Sequence, residues 1–373
     1  MREIRWIAVL FCAVPAAEGG WPLEILQNVE IQMDRRKRQE AQEWEVPKIS
    51  RLQPHFPFRY AQIWLWKIKK VLKVMGVRSP GVVLKERTRK EGAVRMTEVK
   101  ILNAQGARAM GKPEGTYLTL EADELQTPDE DCHSRVVDEL AMQLNELMKR
   151  AGWEKKENPS LLVVGLGNQS VTPDSLGPRT VGNLRVTGHL LADRTEKKQS
   201  YPCLCAIAPG VMAQTGMETA QILHGIIGET SPDLVIAIDA LAARSVRRLC
   251  TTIQLTDTGI HPGSGVGNHR HSLTKESLGV PVIAIGVPTV VGAAAIVQDT
   301  ISALLAVLEE NECAKGTGSW IRQMDTEGQY ELIRELLEPE FGPMYVTPPD
   351  IDQSVQQLSF TISEGIHRAV FEL

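Results

Sequence analysis

The central block of the chain, residues 161–291, contains two apolar runs that each lead to an aspartate. Residues 161–168 (LLVVGLGN) are followed by Asp174, and residues 234–238 (LVIAI) are followed directly by Asp239. Continuous apolar runs of this kind are typical of strands that are covered on both faces. In open parallel sheets, ligands bind at the carboxyl ends of the strands. The sequence therefore predicts that Asp174 and Asp239 reach the same edge of one sheet.

Strand-like and helix-like segments alternate through this block at the spacing of strand–helix–strand units. The apolar runs predict strands at residues 161–164, 204–208, 234–238, 251–256 and 282–287. The segments between and after them predict helices at residues 176–191, 218–229, 240–249 and 293–309. We therefore predict an α/β fold with a mainly parallel sheet and helices on both faces.

The sequence on either side of this block adds further elements. Alternating patterns predict strands at residues 94–102 and 116–121, with a turn-rich connection between them. Apolar residues at helical spacing predict a helix over residues 132–152. Helices are also predicted at residues 330–337 and 350–370, with Asp350 placed to cap the last one. The core is thus expected to carry added β-rich and C-terminal helical segments.

The first 79 residues differ in composition from the rest of the chain. They hold five of the seven tryptophans and the basic run at residues 35–38. Residues 6–14 resemble the apolar part of a weak signal peptide. The six scattered cysteines, which include no C-x-x-C pair, instead favour a cytosolic protein with reduced thiols. We assign residues 1–79 to a divergent N-terminal segment, residues 80–373 to the main domain, and residues 160–310 to its core.

The overall charge and hydropathy argue against two classes of partner. A net charge of -5 and a pI near 6.0 give no support for direct nucleic-acid binding, which normally requires a basic surface. No apolar run approaches the length needed to span a bilayer, so no membrane partner is expected.

The two aspartates allow a chemical and a structural interpretation. Two carboxyl groups that face one cleft can divide general acid and general base roles between them. Alternatively, each aspartate caps the helix that follows it, since aspartate is favoured at that position. Spacing alone favours neither interpretation for Asp174 or Asp239.

A glycine-rich stretch, residues 259–268 (GIHPGSGVGN), precedes the last central strand. Gly263, Gly265 and Gly267 would expose successive backbone N–H groups to an anion or to a tetrahedral oxyanion. The stretch is neither a dinucleotide fingerprint nor a P-loop, so no cofactor is expected. A long turn with no ligand is the other interpretation.

Three histidines near this stretch raise the question of a metal. His269 and His271 can chelate from an extended segment, with His261 and either Asp257 or Asp239 as further ligands. Histidines in loops are more often surface residues, and no H-E-x-x-H motif supports a metal site. We therefore predict no metal. Nucleophilic serine is also disfavoured, because Ser245 and Ser264 lack a G-x-S-x-G elbow.

Several ordered segments together resemble one family, the germination endopeptidases (spore proteases) of spore-forming bacteria. The resemblance rests on VTPDSLGPRTVGNLRVTGHL, AIAPGVMAQTGMETAQILHGI, PDLVIAIDALAARSV, TTIQLTDTGIHPGSGVGNHR and GVPVIAIGVPTVV, and extends from about residue 81 to the end. It implies an aspartic-type endopeptidase, with a fold like that of hydrogenase maturation proteases, whose catalytic aspartates are Asp174 and Asp239. It also implies that the enzyme degrades small acid-soluble DNA-binding spore proteins at germination. Further implications are synthesis as a zymogen, assembly as a homotetramer and a location in the cytoplasm of the forespore or spore core.

The chain departs from the pattern of that family in two places. The family begins with a propeptide and an R-T-D-L-A-like segment, whereas the tryptophan-rich residues 1–79 stand here, either as a divergent prosegment or as an unreliable start. The family also tends to carry an aspartate after P-T-V-V, where this chain has Gly292. Two alternative functions therefore stay open, namely a metal-dependent peptidase of the same fold and a catalytically latent or inactive paralogue.

Overall fold

The computed structural model describes residues 81–88, 94–126, 130–153, 159–191, 201–261, 271–310 and 326–372. The N-terminal segment 1–79, the three loop glycines Gly263, Gly265 and Gly267, and His269 lie outside these residues. The domain boundary near residue 80 stays a prediction.

A mixed sheet forms the centre of the described chain. Its strands run in the order β1–β2–β3–β7–β8–β6–β4–β5, and β9 pairs with the end of β8. The strands are β1 (Val82–Thr88), β2 (Arg95–Ile101), β3 (Gly115–Glu121), β4 (Ser160–Gly165), β5 (Cys203–Ile207), β6 (Leu234–Ala243), β7 (Thr252–Thr256), β8 (Val282–Gly292) and β9 (Tyr345–Val346). Strands β8, β6, β4 and β5 are parallel, whereas the added strands pair antiparallel. The α/β class is confirmed. Its parallel part consists of β8, β6, β4 and β5, whereas β7, which also belongs to the central block, pairs antiparallel with β3 and β8.

Helices connect the strands and cover the sheet. They are α1 (Ala104–Met110), α2 (Glu130–Arg150), α3 (Leu176–Gly182), α4 (Gly188–Leu191), α5 (Met212–Thr215), α6 (Thr219–Thr230), α7 (Lys275–Leu278), α8 (Ala293–Glu310), α9 (Thr326–Phe341) and α10 (Ile351–Phe371). The long helices α2 and α10 contact each other along their length. Gly365 permits this close approach, because a Cβ atom there would lie 2.6 Å from a methyl carbon of Leu140.

Alternate residues of the central strands face opposite layers, as the pleat of a strand requires. In β4, Leu161 and Val163 belong to the apolar cluster that contains α2 and α10. Leu162 and Val164 belong to the cluster that contains α6 and α7. Complete burial of one such side chain contributes about 1.5–3 kcal/mol, so both layers hold the strands firmly. The prediction of helices on both faces is confirmed.

Most predicted elements are present, but two predicted helices are wrong. Residues 240–249 do not form a helix. Strand β6 continues to Ala243, and only a 3-10 turn follows at Val246–Arg248. Pairing of Ala240–Ala243 with the equally extended β8 overrides the helix propensity of alanine and leucine. The helix predicted over residues 176–191 is broken, because Thr187 leaves the helical path and binds both backbone groups of Leu204 on β5.

Two local features were also not foreseen by sequence reasoning. The turn-rich connection after β2 contains α1, which begins where Asn103 accepts a hydrogen bond from the backbone N–H of Gly106 (2.9 Å) and ends at Gly111, with φ of 59°. Asp350 occupies the capping position of α10 as predicted, but its side chain makes no capping hydrogen bond.

Candidate active site

The short segment 166–168 follows the end of β4 and runs beside the middle of β6. The backbone N–H of Leu166 donates to the carbonyl of Ile238 on β6 (2.8 Å), so pairing continues just past the end of β4. Ile238 immediately precedes Asp239 in the sequence. The segment that leaves β4 therefore passes next to the aspartate of β6.

Asp174 lies in a 3-10 turn, Thr172–Asp174, that follows this segment and contacts both β6 and β8. Its Oδ2 accepts a hydrogen bond from the backbone N–H of Asn168 (2.7 Å). Gly167 has a φ of +113°, and a Cβ atom there would lie 2.0 Å from the carbonyl oxygen of Asp174. Only glycine combines that backbone conformation with so close an approach.

Asp239 lies inside β6, opposite Gly286 of β8. Its side chain is buried, with 7% of the residue exposed, and Oδ1 accepts from the backbone N–H of Ala240 (3.0 Å). By the alternation of the strand, Asp239 points to the same face as Val235 and Ala237, towards the α6 layer.

Helix capping does not explain either aspartate. No helix follows Asp239, because β6 continues beyond it. The capping position of α3 belongs to Ser175, and the described carboxylate bond of Asp174 reaches back to Asn168. The structural interpretation of Asp239 is therefore wrong, and that of Asp174 is not supported.

The first turn of α3 lies directly on the segment between the two aspartates. A Cβ atom on Gly177 would lie 2.4 and 2.6 Å from the backbone oxygen and nitrogen of Leu166, and 2.7 Å from the carbonyl oxygen of Ile238. Asp174 and Asp239 thus both adjoin the segment 166–168 at the carboxyl end of β4, although Asp239 lies inside β6, which continues to Ala243, rather than at the end of its strand.

A second loop, residues 208–217 after β5, reaches the same place. Its short helix α5 presents Gln214, whose Nε2 donates to Oδ1 of Asn168 (2.9 Å). Sequence reasoning missed both Asn168 and Gln214. The only available signal was that each follows a strand on the functional edge of the sheet.

Of the three histidines considered as metal ligands, the structure describes His261 and His271. His261 and His271 are exposed, and Nδ1 of His271 lies 3.7 Å from a carboxylate oxygen of Glu218. Asp257 accepts a hydrogen bond from the backbone N–H of Thr116 on β3 (2.7 Å). Within the described ranges, no three histidine, cysteine or acidic side chains are grouped to hold a metal ion.

The other nucleophile candidates make ordinary structural contacts. The hydroxyl of Ser245 donates to a carboxylate oxygen of Asp299 (3.0 Å). Cys203 and Cys205 form no disulfide and lie on the same face of β5, beside Gly188, where both are half-buried because β5 is an edge strand. No helix in the described part of the chain is long and apolar enough to cross a membrane.

Comparison with known proteins agrees on one family. A family model described as germination protease matches residues 73–317. The germination protease of Caldanaerobacter subterraneus subsp. tengcongensis is 46% identical over 293 residues, which cover 78% of this chain and 88% of that protein. The germination proteases of Clostridium perfringens (strain ATCC 13124) and Bacillus subtilis (strain 168) are 42% and 40% identical. These alignments cover 78% and 77% of this chain, and 88% and 86% of those proteins.

A solved structure also matches part of the chain. The NiFe hydrogenase maturation protease HycI from Thermococcus kodakarensis KOD1 covers 39% of this chain and 80% of its own, with 19% identity and a TM-score of 0.24.

Proposed function

This chain belongs to the germination protease family and is therefore a peptidase, and from that premise we propose that it is an aspartic-type endopeptidase with Asp174 and Asp239 as its catalytic pair. The observation that carries the proposal is that both aspartates adjoin the segment 166–168, where β4 ends. Asp174 does so through its bond to Asn168, and Asp239 through its neighbour Ile238, which accepts from Leu166. The carboxyl ends of parallel strands are where open α/β sheets bind their ligands.

The surroundings of the two carboxyl groups favour different roles. Asp174 is partly exposed and accepts a short backbone hydrogen bond, which favours the ionised form of a carboxyl group. Asp239 is buried in a strand, and burial favours the neutral form. We assign the general base to Asp174 and the general acid to Asp239.

The proposed reaction is hydrolysis of a peptide bond by an activated water. Asp174 takes a proton from water as its oxygen attacks the peptide carbonyl, while Asp239 gives its proton to the carbonyl oxygen. The tetrahedral intermediate then collapses. The C–N bond breaks, the proton held by Asp174 passes to the leaving amine, and one hydroxyl of the new carboxyl group returns its proton to Asp239. Backbone N–H groups of Gly263, Gly265 and Gly267 are proposed to stabilise the negative charge that develops on the carbonyl oxygen as the proton of Asp239 is transferred.

The proposed substrates are the small acid-soluble DNA-binding proteins of the spore, which the enzyme would begin to degrade in the spore core at germination. We also propose that residues 1–79 act as a prosegment and that the enzyme works as a homotetramer. The role at germination is supported by the name that the related proteins share, germination protease. The substrates, the prosegment and the homotetramer are supported by the resemblance described above.

The aspartate pair is tested by replacing Asp239 with Asn in the full chain. Because general acid–base groups contribute about 10²–10⁴-fold, we expect kcat for a purified small acid-soluble spore protein to fall by at least 100-fold. Circular dichroism should show an intact fold. Full activity of Asp239→Asn would refute the acid–base pair.

Asp233→Asn is the matched control, because Asp233 lies at the opposite end of β6 and binds the backbone N–H and hydroxyl of Ser160 (2.9 and 3.2 Å). We expect this variant to retain activity. Each assay is repeated after cleavage at a protease site introduced between residues 79 and 80, which separates a latent enzyme from an inactive one. Loss of activity with a chelator, reversed by added metal, would instead favour a metal-dependent peptidase.

A further inference from the structure

We propose that Asn168 and Gln214 are positioning residues that hold the carboxylate of Asp174 in its working orientation. The inference rests on the function proposed above and concerns two residues outside the aspartate pair. It follows from a hydrogen-bond network that joins the loops after β4 and β5.

Asn168 is the centre of this network. Its backbone N–H donates to Asp174 Oδ2 (2.7 Å), and its backbone carbonyl accepts from the N–H of Val171 (3.1 Å). Its side-chain Oδ1 accepts from the N–H of Ser170 (3.0 Å). The backbone N–H of Asp174 in turn donates to the carbonyl of Val171 (2.9 Å). The direction in which Asn168 presents its N–H therefore determines where the Asp174 carboxylate is held.

Gln214 fixes Asn168 from the neighbouring loop. Its Nε2 donates to Oδ1 of Asn168 (2.9 Å), across 46 residues of sequence. The helix α5 that carries Gln214 is itself anchored. Val211 before it is buried, and the hydroxyl of Thr215 accepts from the backbone N–H of Met217 (3.2 Å). The two loops follow adjacent parallel strands, so this bond connects the loop after β5 to the turn that holds Asp174.

We expect the substitutions of Gln214 and Asn168 to reduce catalysis by different amounts. The bond from Gln214 is exposed to solvent, so its net worth is that of a typical hydrogen bond. We expect Gln214→Ala to lower kcat about fivefold and Asn168→Ala about tenfold, with KM little changed. The double variant should lose no more than Asn168→Ala, because both single changes remove the same contact.

The test measures Asp174 directly in the full-length chain. Aspartate labelled with ¹³C at Cγ is titrated by NMR, and the Asp174 signal is identified by its loss in Asp174→Asn. We expect the midpoint to move to higher pH in Asn168→Ala, because the hydrogen bond to the ionised form weakens. Gln214→Ala should move the midpoint in the same direction but less far, because only the support of Asn168 is lost. A side chain that does not orient Asp174 would leave its midpoint unchanged when replaced by alanine.

Gln221→Ala is the matched control. Gln221 lies in the same part of the chain, but its side chain accepts a hydrogen bond from the backbone N–H of Glu218 (3.3 Å), away from Asn168. The control should leave the Asp174 midpoint and kcat unchanged. Because Gln214 is on the surface, its replacement keeps the fold even if Asn168→Ala does not.

The positioning role is overturned if the Asp174 midpoints of Gln214→Ala and Asn168→Ala coincide with that of the wild type. The Asp174 midpoints can be interpreted whether or not Asp174 and Asp239 act as the catalytic pair. If the midpoints shift as expected but Asp239→Asn remains fully active, the catalytic proposal fails and the positioning role stands.

Discussion

Gly177 is the position where one added methyl group should disturb the site most. It lies in the first turn of α3 and faces the backbone of Leu166 and Ile238, next to both aspartates. The three nearest atoms to an added Cβ are all backbone atoms, at 2.4, 2.6 and 2.7 Å. Relief would require α3 or the strand ends to move by roughly 1 Å, because backbone atoms cannot rotate away as side chains can.

Two opposing effects set the size of the change in Gly177→Ala. Overpacking a well-packed site costs about 1–3 kcal/mol. Alanine in place of glycine in a helix restores about 0.5–1 kcal/mol. We therefore expect the free energy of unfolding to fall by about 1–2 kcal/mol. The displacement of α3 should also lower kcat, because Asp174 lies only three residues before Gly177.

Gly182→Ala provides the control within the same helix. Nothing lies within 4 Å of a Cβ atom built on Gly182, so only the helix propensity changes. This variant should gain up to about 1 kcal/mol. The assay is urea unfolding of both variants at one protein concentration, with the midpoints compared at a common slope. Equal stability of the two variants would contradict the close packing of α3 on the strand ends.

Two further predictions concern groups whose pKa is shifted by burial. Burial, together with the nearby charge of Arg248, lowers the pKa of Lys112 to about 8 in the folded chain. The unfolded chain, in which this pKa is 10.5, therefore binds the proton more tightly, and the free energy of unfolding rises as the pH increases from 8 to 10.5. Lys112→Met should be more stable than the wild type at pH 7, by on the order of 1 kcal/mol. This difference in the free energy of unfolding should shrink as the pH rises, and urea titrations that give the same difference at every pH would contradict the prediction. Burial, with Asp350 adding to the effect, raises the pKa of Cys250 to about 12, so at pH 8 the folded chain holds it as the thiol. Iodoacetamide at pH 8 should modify the half-buried Cys205 long before Cys250, and equal rates by mass spectrometry would refute this.

The central strands could be predicted because their signal is local. A continuous apolar run such as residues 161–164 allows little besides a strand covered on both faces. The helix predicted at residues 240–243 is wrong for the opposite reason. Their alanines and leucine favour a helix locally, and only the partner strand β8, 11 residues long, holds them extended. The extension depends on a contact between distant segments, which local periodicity does not contain.

The candidate site, like the fold, could be predicted only in part. Asp174 and Asp239 are visible in the sequence, because each follows an apolar run that forms a strand of the sheet. Asn168 and Gln214 are not, because their contact joins residues that are far apart in sequence and is weak in isolation. Polar residues that support a site through one exposed hydrogen bond have no periodicity that would set them apart from ordinary loop residues.

The two aspartates are held in physically different ways, and this difference bears on their roles. Asp239 is fixed by the pleat of a buried strand, so its direction depends on the pairing of β6 with β8. Asp174 is held by hydrogen bonds in a turn that solvent reaches. A carboxyl group that must keep a proton benefits from burial, whereas one that must stay ionised benefits from backbone donors and access to water. The fold therefore gives two chemically identical groups different environments, and the difference has the direction that the proposed acid–base roles require.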